Sequence, residues 1–360
     1  MKWIRNRWYA AALSEELGDT MLSRRLFGEN VVLFRDASGR PAMLSDRCPH
    51  KGAPLSRGKL CHGVLSCPYH GLQFDGNGKC IRIPSQGNIP PTARVKAYPC
   101  VERYGIAWFW PGDPDRADPA LLADIPNYGA PGWDAFHGPH TVFPASIANI
   151  LDNLVDPAHT TFVHQGTIGG ADASEVPLVV EQHDTRITVG RWIEQSEPVP
   201  VMRRYGGFRG RVDRWQYYHL YAPNLSLVDM GAVDAGGARD EDSRNRQYRT
   251  LSYAALAPES EHTTHYFWFV LRTFALGDAA VTDEMRQAYI VTFDEDRALL
   301  GAIQANTGDM LGNPLRLAID NASIRLRRVL DRLLEQEQDS LAADPEWSNI
   351  PVVEQACANS

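Results

Sequence analysis

The 360-residue chain has no apolar run approaching the roughly eighteen residues that a membrane-spanning helix needs. Its first residues, MKWIRNRWYAAALSEELG, carry basic side chains, but glutamates interrupt the apolar stretch before it could serve as a signal peptide. Cysteine is scarce: the six present are scattered too widely for a disulfide framework, and Cys61, Cys80, Cys100 and Cys357 are expected to be free thiols of a cytoplasmic enzyme. Nor is there an excess of basic charge. Lys and Arg number 36 against 44 Asp and Glu, and the formal charge of −8 argues against nucleic acid as a partner while leaving small organic substrates open. No internal repeat is visible. What the chain has is a 44% hydrophobic composition, enough for two packed cores, and two clusters of metal-ligand residues.

The first cluster pairs Cys48-Pro-His50 with Cys67-Pro-Tyr-His70. A Rieske centre needs two thiolates on one iron and two neutral imidazoles on the other, because replacing thiolate by histidine removes negative charge and raises the reduction potential. Glycines and prolines surround both halves (Gly52, Pro54, Gly58, Gly63, Gly71), as expected of loops whose backbone must approach inorganic sulfide closely. The same donors could form a tetrahedral Cys2His2 zinc site. Common zinc modules, however, pair C-x-x-C with H-x-H, whereas here Cys and His mix within each half. Cys61 and His62 lie between the halves, off the spacing, and read as loop residues.

The second cluster is Asp156, His159 and His164 in DNLVDPAHTTFVH. The preceding SIANILDNLVD reads as a helix running into Pro157, with Asp152 and Asp156 on one face. On an ideal helix, His159 and His164 would point about 140° apart. The backbone must therefore bend, and Pro157 is placed either to kink the helix or to start a new turn with Asp156 as its N-cap. Two histidines and a carboxylate on one side of an iron, with other positions open, is the facial arrangement of non-haem Fe(II) oxygenases. A distant carboxylate can be sought by its misfit. From Thr282 to about Gln304 the chain looks helical, capped by Thr282, with an apolar stripe through Met285, Tyr289, Thr292 or Phe293, Leu299 or Leu300, and Ile303. Asp296 falls inside that stripe, where an unpaired carboxylate is expensive and a metal is the natural partner. Asp294 points roughly the other way and stands as the alternative.

With these residues in view, the chain resembles the oxygenase components of Rieske non-haem iron oxygenases, above all the vanillate and dicamba O-demethylase group. The likeness covers RNRWYAAALSEEL, both metal motifs, VERYGIAWFWPG, GTIGG after the iron motif, THYFWFVLR and FDEDRALLGAIQ, in that order. The resemblance implies that Cys48, His50, Cys67 and His70 bind a 2Fe-2S cluster and that His159, His164 and Asp296 bind a mononuclear Fe(II). It also implies that Asp156 bridges His70 of one subunit to His159 of the next in a homotrimer. Pro157 departs from the Leu or Met that relatives carry there, which bears on the backbone path around Asp156. A histidine in a comparable strand faces the aromatic acid in such demethylases, which makes His265 a candidate for substrate binding, with structural pairing across the sheet as the alternative.

The chain divides near residue 112 into an N-terminal antiparallel β Rieske domain (1–112), a Pro- and Gly-dense connecting segment (113–139) and a catalytic domain (140–360). Strand-like runs followed by helices give the latter an α+β class with an antiparallel sheet, and the resemblance implies a helix-grip arrangement. The polar segment 233–247 is expected to be a surface loop, and a last helix is expected over about 315–336. The expected activity is hydroxylation of an aromatic substrate with O2 and with electrons from NAD(P)H through a ferredoxin or flavin reductase, most simply oxidative O-demethylation of a methoxylated aromatic acid. A ring-hydroxylating dioxygenase giving a cis-dihydrodiol, and an electron-transfer iron-sulfur protein with a silent second domain, are the alternatives.

Overall fold

Short β-forming runs between glycine turns dominate the first 110 residues, and in the computed structural model they become β1 (Tyr9–Leu13), β2 (Leu22–Leu26), β3 (Glu29–Arg35), β4 (Pro41–Ser45), β5 (Lys59–Cys61), β6 (Val64–Ser66), β7 (Gln73–Phe74), β8 (Cys80–Arg82), β9 (Ala97–Tyr98), β10 (Cys100–Arg103) and β11 (Ile106–Phe109). The structure describes residues 3–84, 86–164, 176–307 and 315–342. Three small sheets result, ordered β1-β11-β10, β2-β3-β4-β9 and β5-β6-β7-β8, and all their pairings are antiparallel.

The second domain is built on β12 (Asp134–His137), β13 (Thr141–Phe143), β14 (Val179–His183), β15 (Arg186–Ser196), β16 (Val212–Tyr221), β17 (Leu225–Asp234), β18 (Tyr248–Pro258) and β19 (Thr264–Arg272), with α1 (Ile147–Leu154), α2 (Thr160–Val163), α3 (Pro200–Tyr205), α4 (Glu241–Asn245), α5 (Ala279–Thr307) and α6 (Asn321–Ala342) around it. The sheet runs β12-β19-β18-β17-β16-β15-β14, with β13 also paired to β19. The fold is the expected α+β combination. One boundary differs from the sequence reading: Asp134–His137, inside the segment expected only to connect, pairs with Phe269–Arg272 as an edge of the sheet.

Strand β19 shows how the layers assemble. Every residue of it is buried, because both faces are covered. Tyr266 and Trp268 point toward α5, where ring centroids of Trp268 lie 5.7 Å from Tyr289 and 5.1 Å from Phe293, and those of Tyr266 lie 5.2 Å from Phe293. Phe267, Phe269 and Leu271 point the other way, into a core shared with Trp8, Trp108 and Trp110 of the first domain. Alternation of side chains along a strand makes this two-sided use unavoidable.

Helix boundaries show what propensity alone misses. The Asp278 carboxylate accepts from the N–H groups of Ala280 and Val281, so α5 starts earlier than Thr282, whose hydroxyl instead donates to the Asp278 carbonyl. The last helix begins at Asn321, later than expected. Within 233–247, expected as a loop, α4 is capped by Asp240 and tied down where Arg249 meets Asp229 and Glu241.

A relay of histidines joins the domains. Arg24 can only donate, so at 3.3 Å the His140 Nδ1 must accept; His140 Nε2–H then donates to His265 Nδ1 at 2.8 Å, and His265 Nε2–H to the Arg25 carbonyl at 2.8 Å. All three bonds require both rings neutral. Burial, then the Arg24 charge and His265, push His140 down from an ordinary 6.5 to about 3, and burial also pushes His265 down. A depressed histidine contributes stability that is complete above its unfolded value near 6.5 and is lost as pH falls toward about 3. Denaturant midpoints measured from pH 7.5 to 4.5 should therefore fall more steeply in the unmodified protein than in His140→Phe. Parallel slopes would rule the relay out as the source.

Candidate metal centres

The Cys-Pro-His and Cys-Pro-Tyr-His motifs fold into two congruent loops. In each, the cysteine N–H donates to the carbonyl five residues on (Cys48 to Ala53, 2.9 Å; Cys67 to Leu72, 2.8 Å), and the glycine four residues on donates back to the cysteine carbonyl (Gly52, 2.9 Å; Gly71, 3.1 Å). Closing the loop this way takes Gly52 and Gly71 to φ of 72° and 70°, where a side chain would be strained. The loops meet face to face. Cys48 and Cys67 are buried with their thiols close enough to hydrogen-bond, and the rings of His50 and His70 lie 4.6 Å apart at the exposed tip. Burial pushes the Cys48 thiol up, whereas the N–H groups of His50 and Lys51 that reach it favour the thiolate. Two sulfurs inside, two imidazoles outside and backbone donors aimed at sulfur fit a Rieske cluster. Cys61 is exposed and His62 sits in a turn at φ 48°, as the spacing suggested.

The second centre forms where α1 stops. Ser146 caps α1 by accepting from Asn149 N–H, and the helix ends at Leu154, so Asp156 lies beyond it and does not share a helical face with Asp152. Instead the Asp156 Oδ1 accepts from Ala158 N–H at 2.8 Å, opening the turn that Pro157 begins, and α2 follows. The new turn swings His159 and His164 together, ring centroids 5.3 Å apart. Asp296 reaches them from α5: its Oδ1 is 3.6 Å from His159 Nε2 and 3.3 Å from His164 Nε2, and the three ligand atoms lie within 4.8 Å of one another. His159 Nδ1 donates to the Asp156 carbonyl, and His164 Nδ1 to Glu295 at 2.8 Å, which leaves both Nε2 lone pairs facing the gap. Burial pulls His164 down, but Asp296 and Glu295 outweigh it and hold the ring above its ordinary 6.5. Burial also raises Asp156, with His159 opposing. Three donors on one side of a gap suit a mononuclear iron.

Residues 7–99 match the profile of the Rieske 2Fe-2S domain, and residues 143–336 match the vanillate O-demethylase oxygenase C-terminal domain. The chain belongs to the oxygenase components of the Rieske non-haem iron oxygenases. This oxygenase is similar to the putative toluene-4-sulfonate monooxygenase system iron-sulfur subunit TsaM2 of Comamonas testosteroni, 35% identical over 94% of this chain and 99% of that one. It is similar also to the vanillate O-demethylase oxygenase subunit of Pseudomonas sp. strain HR199, at 32% over 94% and 97%. Among solved structures, dicamba monooxygenase bound to 3,6-dichlorosalicylic acid superposes with a TM-score of 0.84 at 30% identity, over 94% of this chain and 99% of that one. The protein is accordingly an oxidoreductase with a Rieske 2Fe-2S cluster and a mononuclear iron, one component of a system in which a separate protein supplies electrons.

Not every expected residue of the oxygenase reaches the site. Asp294 turns to solvent and pairs with Arg297 at 2.9 Å, as its place off the apolar stripe requires. His265 lies on the face of β19 opposite Tyr266 and Trp268, with both ring nitrogens engaged in the relay to the first domain. GTIGG (166–170) and Cys357 lie outside the described residues. Two neighbours had no sequence signal of their own: Asn153, whose Nδ2 donates to Asp296 Oδ1 at 3.2 Å, and Glu295, next to Asp296 in the chain. An apolar cavity of about 120 Å³ runs along α5 past Met285, Tyr289 and Thr292, the last one helical turn before Asp296, between α3 and the sheet. Asp296→Ala should empty the mononuclear site by iron analysis while the visible Rieske absorption persists. Asp294→Ala should retain full iron.

Proposed function

We propose that Cys48, His50, Cys67 and His70 hold the 2Fe-2S cluster, that His159, His164 and Asp296 hold the iron, and that the oxygenase removes the methyl group of a methoxylated aromatic acid. The observation that carries this is the convergence of the three donors beside an apolar cavity of monocyclic-aromatic size, lined by Met202, Met230, Met285, Tyr248 and Tyr289 with Arg214 as its cation. Its relatives include O-demethylase components named for vanillate and for dicamba, from Pseudomonas and Stenotrophomonas maltophilia. When bound, the two metal groups supply storage of single electrons and reduction of O2. In balance, the methyl ether, O2, NAD(P)H and a proton give the phenol, formaldehyde, NAD(P)+ and water, the hemiacetal first formed collapsing without further oxidation.

The chain's own part is positioning and exclusion of water. The thioether and aromatic lining holds the ring of the substrate by contact alone, so a polar substituent is oriented by the few polar groups, Arg214, Gln216, Thr250 and Thr292. Asp156 is the proposed electrical contact between the centres. Within one chain, the His70 ring meets His50 and Tyr69, and Asp156 meets Ala158 and His159, with its Oδ2 4.0 Å from His159 Nδ1. An exposed His70 and an Asp156 whose side chain is 30% exposed favour a contact between copies, in a homotrimer. The described chain has no helix long and apolar enough to cross a membrane.

Oxygen uptake and formaldehyde release, measured with reductase, NADH and a panel of methoxybenzoates, test the activity. Uptake with a cis-dihydrodiol as product would replace demethylation by ring dihydroxylation, and no uptake with any panel member would remove both. Asp156→Ala should keep both metals and the trimer yet lose turnover by at least about a hundredfold, since the barrier to electron entry then governs the rate. Loss of the Rieske spectrum in that variant would show that Asp156 has a structural role instead.

A further inference from the structure

The two histidines of the iron site are anchored by acceptors of different charge. His159 Nδ1 donates to a backbone carbonyl, that of Asp156, which carries only a partial charge. His164 Nδ1 donates at 2.8 Å to the Glu295 carboxylate, and the ring is 1% exposed. Glu295 and Asp296 are consecutive on α5, so a single imidazole is gripped between neighbouring carboxylates, one at each ring nitrogen, with Asp296 Oδ1 3.3 Å from Nε2. The two contacts fix the ring's tilt, and the Glu295 acceptor places the proton of the neutral ring on Nδ1.

Charge counting gives Glu295 a second task. A ferrous ion brings two positive charges; two neutral imidazoles cancel none, and the Asp296 carboxylate cancels one. Asn153 is neutral and already donates to Asp296. The next carboxylate bound to a ligand ring is that of Glu295, because Asp156 reaches His159 through its carbonyl, with its carboxylate only at 4.0 Å. Asp294 carries the same charge one residue earlier but spends it on Arg297 at the surface.

We propose that Glu295 is a positioning residue of the iron site that also balances its second positive charge through the His164 ring. This rests on the assignment of His164 and Asp296 as iron ligands. Removing a carboxylate hydrogen-bonded to a ligand histidine costs about ten- to a hundredfold in metal affinity. Gln at 295 keeps an acceptor for His164 Nδ1–H but not the charge, whereas Ala removes both. Charge and orientation can thus be separated.

The test uses the full-length protein with its Rieske cluster assembled, stripped of mononuclear iron by chelation and titrated anaerobically with Fe(II), and the midpoint potential of the reloaded iron is followed by electron paramagnetic resonance. Glu295→Gln should weaken Fe(II) binding about tenfold and move the potential upward, because losing a negative charge disfavours the ferric ion. Glu295→Ala should weaken binding further, and Asp294→Asn should change neither reading. Glu295→Gln with affinity within twofold of the unmodified protein and an unmoved potential overturns the proposal. His164→Ala separates the two levels of the argument: if it loses iron while Glu295→Gln is silent, only the role of Glu295 falls, and if it keeps full iron affinity, the ligand assignment falls and takes the proposal with it.

Discussion

A carboxylate held at 6% exposure on the inner side of a long helix is the constraint around which the catalytic domain is arranged. Asp296 is tolerable there only because two imidazoles and the Asn153 amide face it, and because a cation fits among them. Bringing those partners together requires three separate devices. The aromatic packing of Tyr266 and Trp268 against Tyr289 and Phe293 sets α5 on the sheet. The stop of α1 at Leu154 and the Pro157 turn swing the histidines round. The acceptors at each Nδ1 then turn both Nε2 atoms the same way. Loss of any one would leave a buried carboxylate without the partners that share a cation with it.

The two metal centres sit in opposite electrostatic settings. Around the cluster loops, residues 46–82 hold Arg47, Lys51, Arg57, Lys59, Lys79 and Arg82 against Asp46 and Asp75, although the chain as a whole is acidic. A cluster gains negative charge on reduction, so surrounding cations and neutral histidine ligands both favour the reduced form and keep the potential up. Around His159 and His164 the arrangement is the reverse, with the Asp296 and Glu295 carboxylates and the carbonyl of Asp156 close by, and an iron held there would be favoured in its higher charge. With both groups bound, such a gradient would draw electrons toward the second centre less strongly than neutral surroundings would.

What could be read from the sequence follows from how local each signal is. The cluster loops were legible because ligand spacing and glycine turns lie within a few residues, and the structure closes them with the same two hydrogen bonds. Asp296 was legible through misfit, a charge inside an apolar stripe. Glu295 was not, since a carboxylate one position off the stripe looks like any solvated helix charge until the folded chain sets His164 beside it. The partners of His265 were hidden for a related reason: in a strand buried on both faces, periodicity cannot say which face a side chain takes. Strand β12 was hidden by its four-residue length within a run dense in proline and glycine, and its pairing with β19 is a nonlocal fact.

Domains within a chain move relative to each other by default unless the surface between them is large and apolar. Here it is apolar: Trp8, Trp108 and Trp110 share one core with Leu225, Leu251, Phe267 and Phe269, and Ala257 enters the core of Tyr9 and Phe27. Backbone bonds cross it as well, from Phe27 N–H to Pro258 at 2.7 Å and from Gly28 N–H to Glu259 at 3.0 Å, beside the histidine relay. Opening a hinge here would expose several buried tryptophans and phenylalanines, each worth about 2 to 3 kcal/mol of transfer free energy. The cluster tip is thus carried on a rigid mount. An electron path through such a molecule has to be built into fixed contacts rather than delivered by swinging one domain to the other, and that is the condition the proposed contact at Asp156 requires.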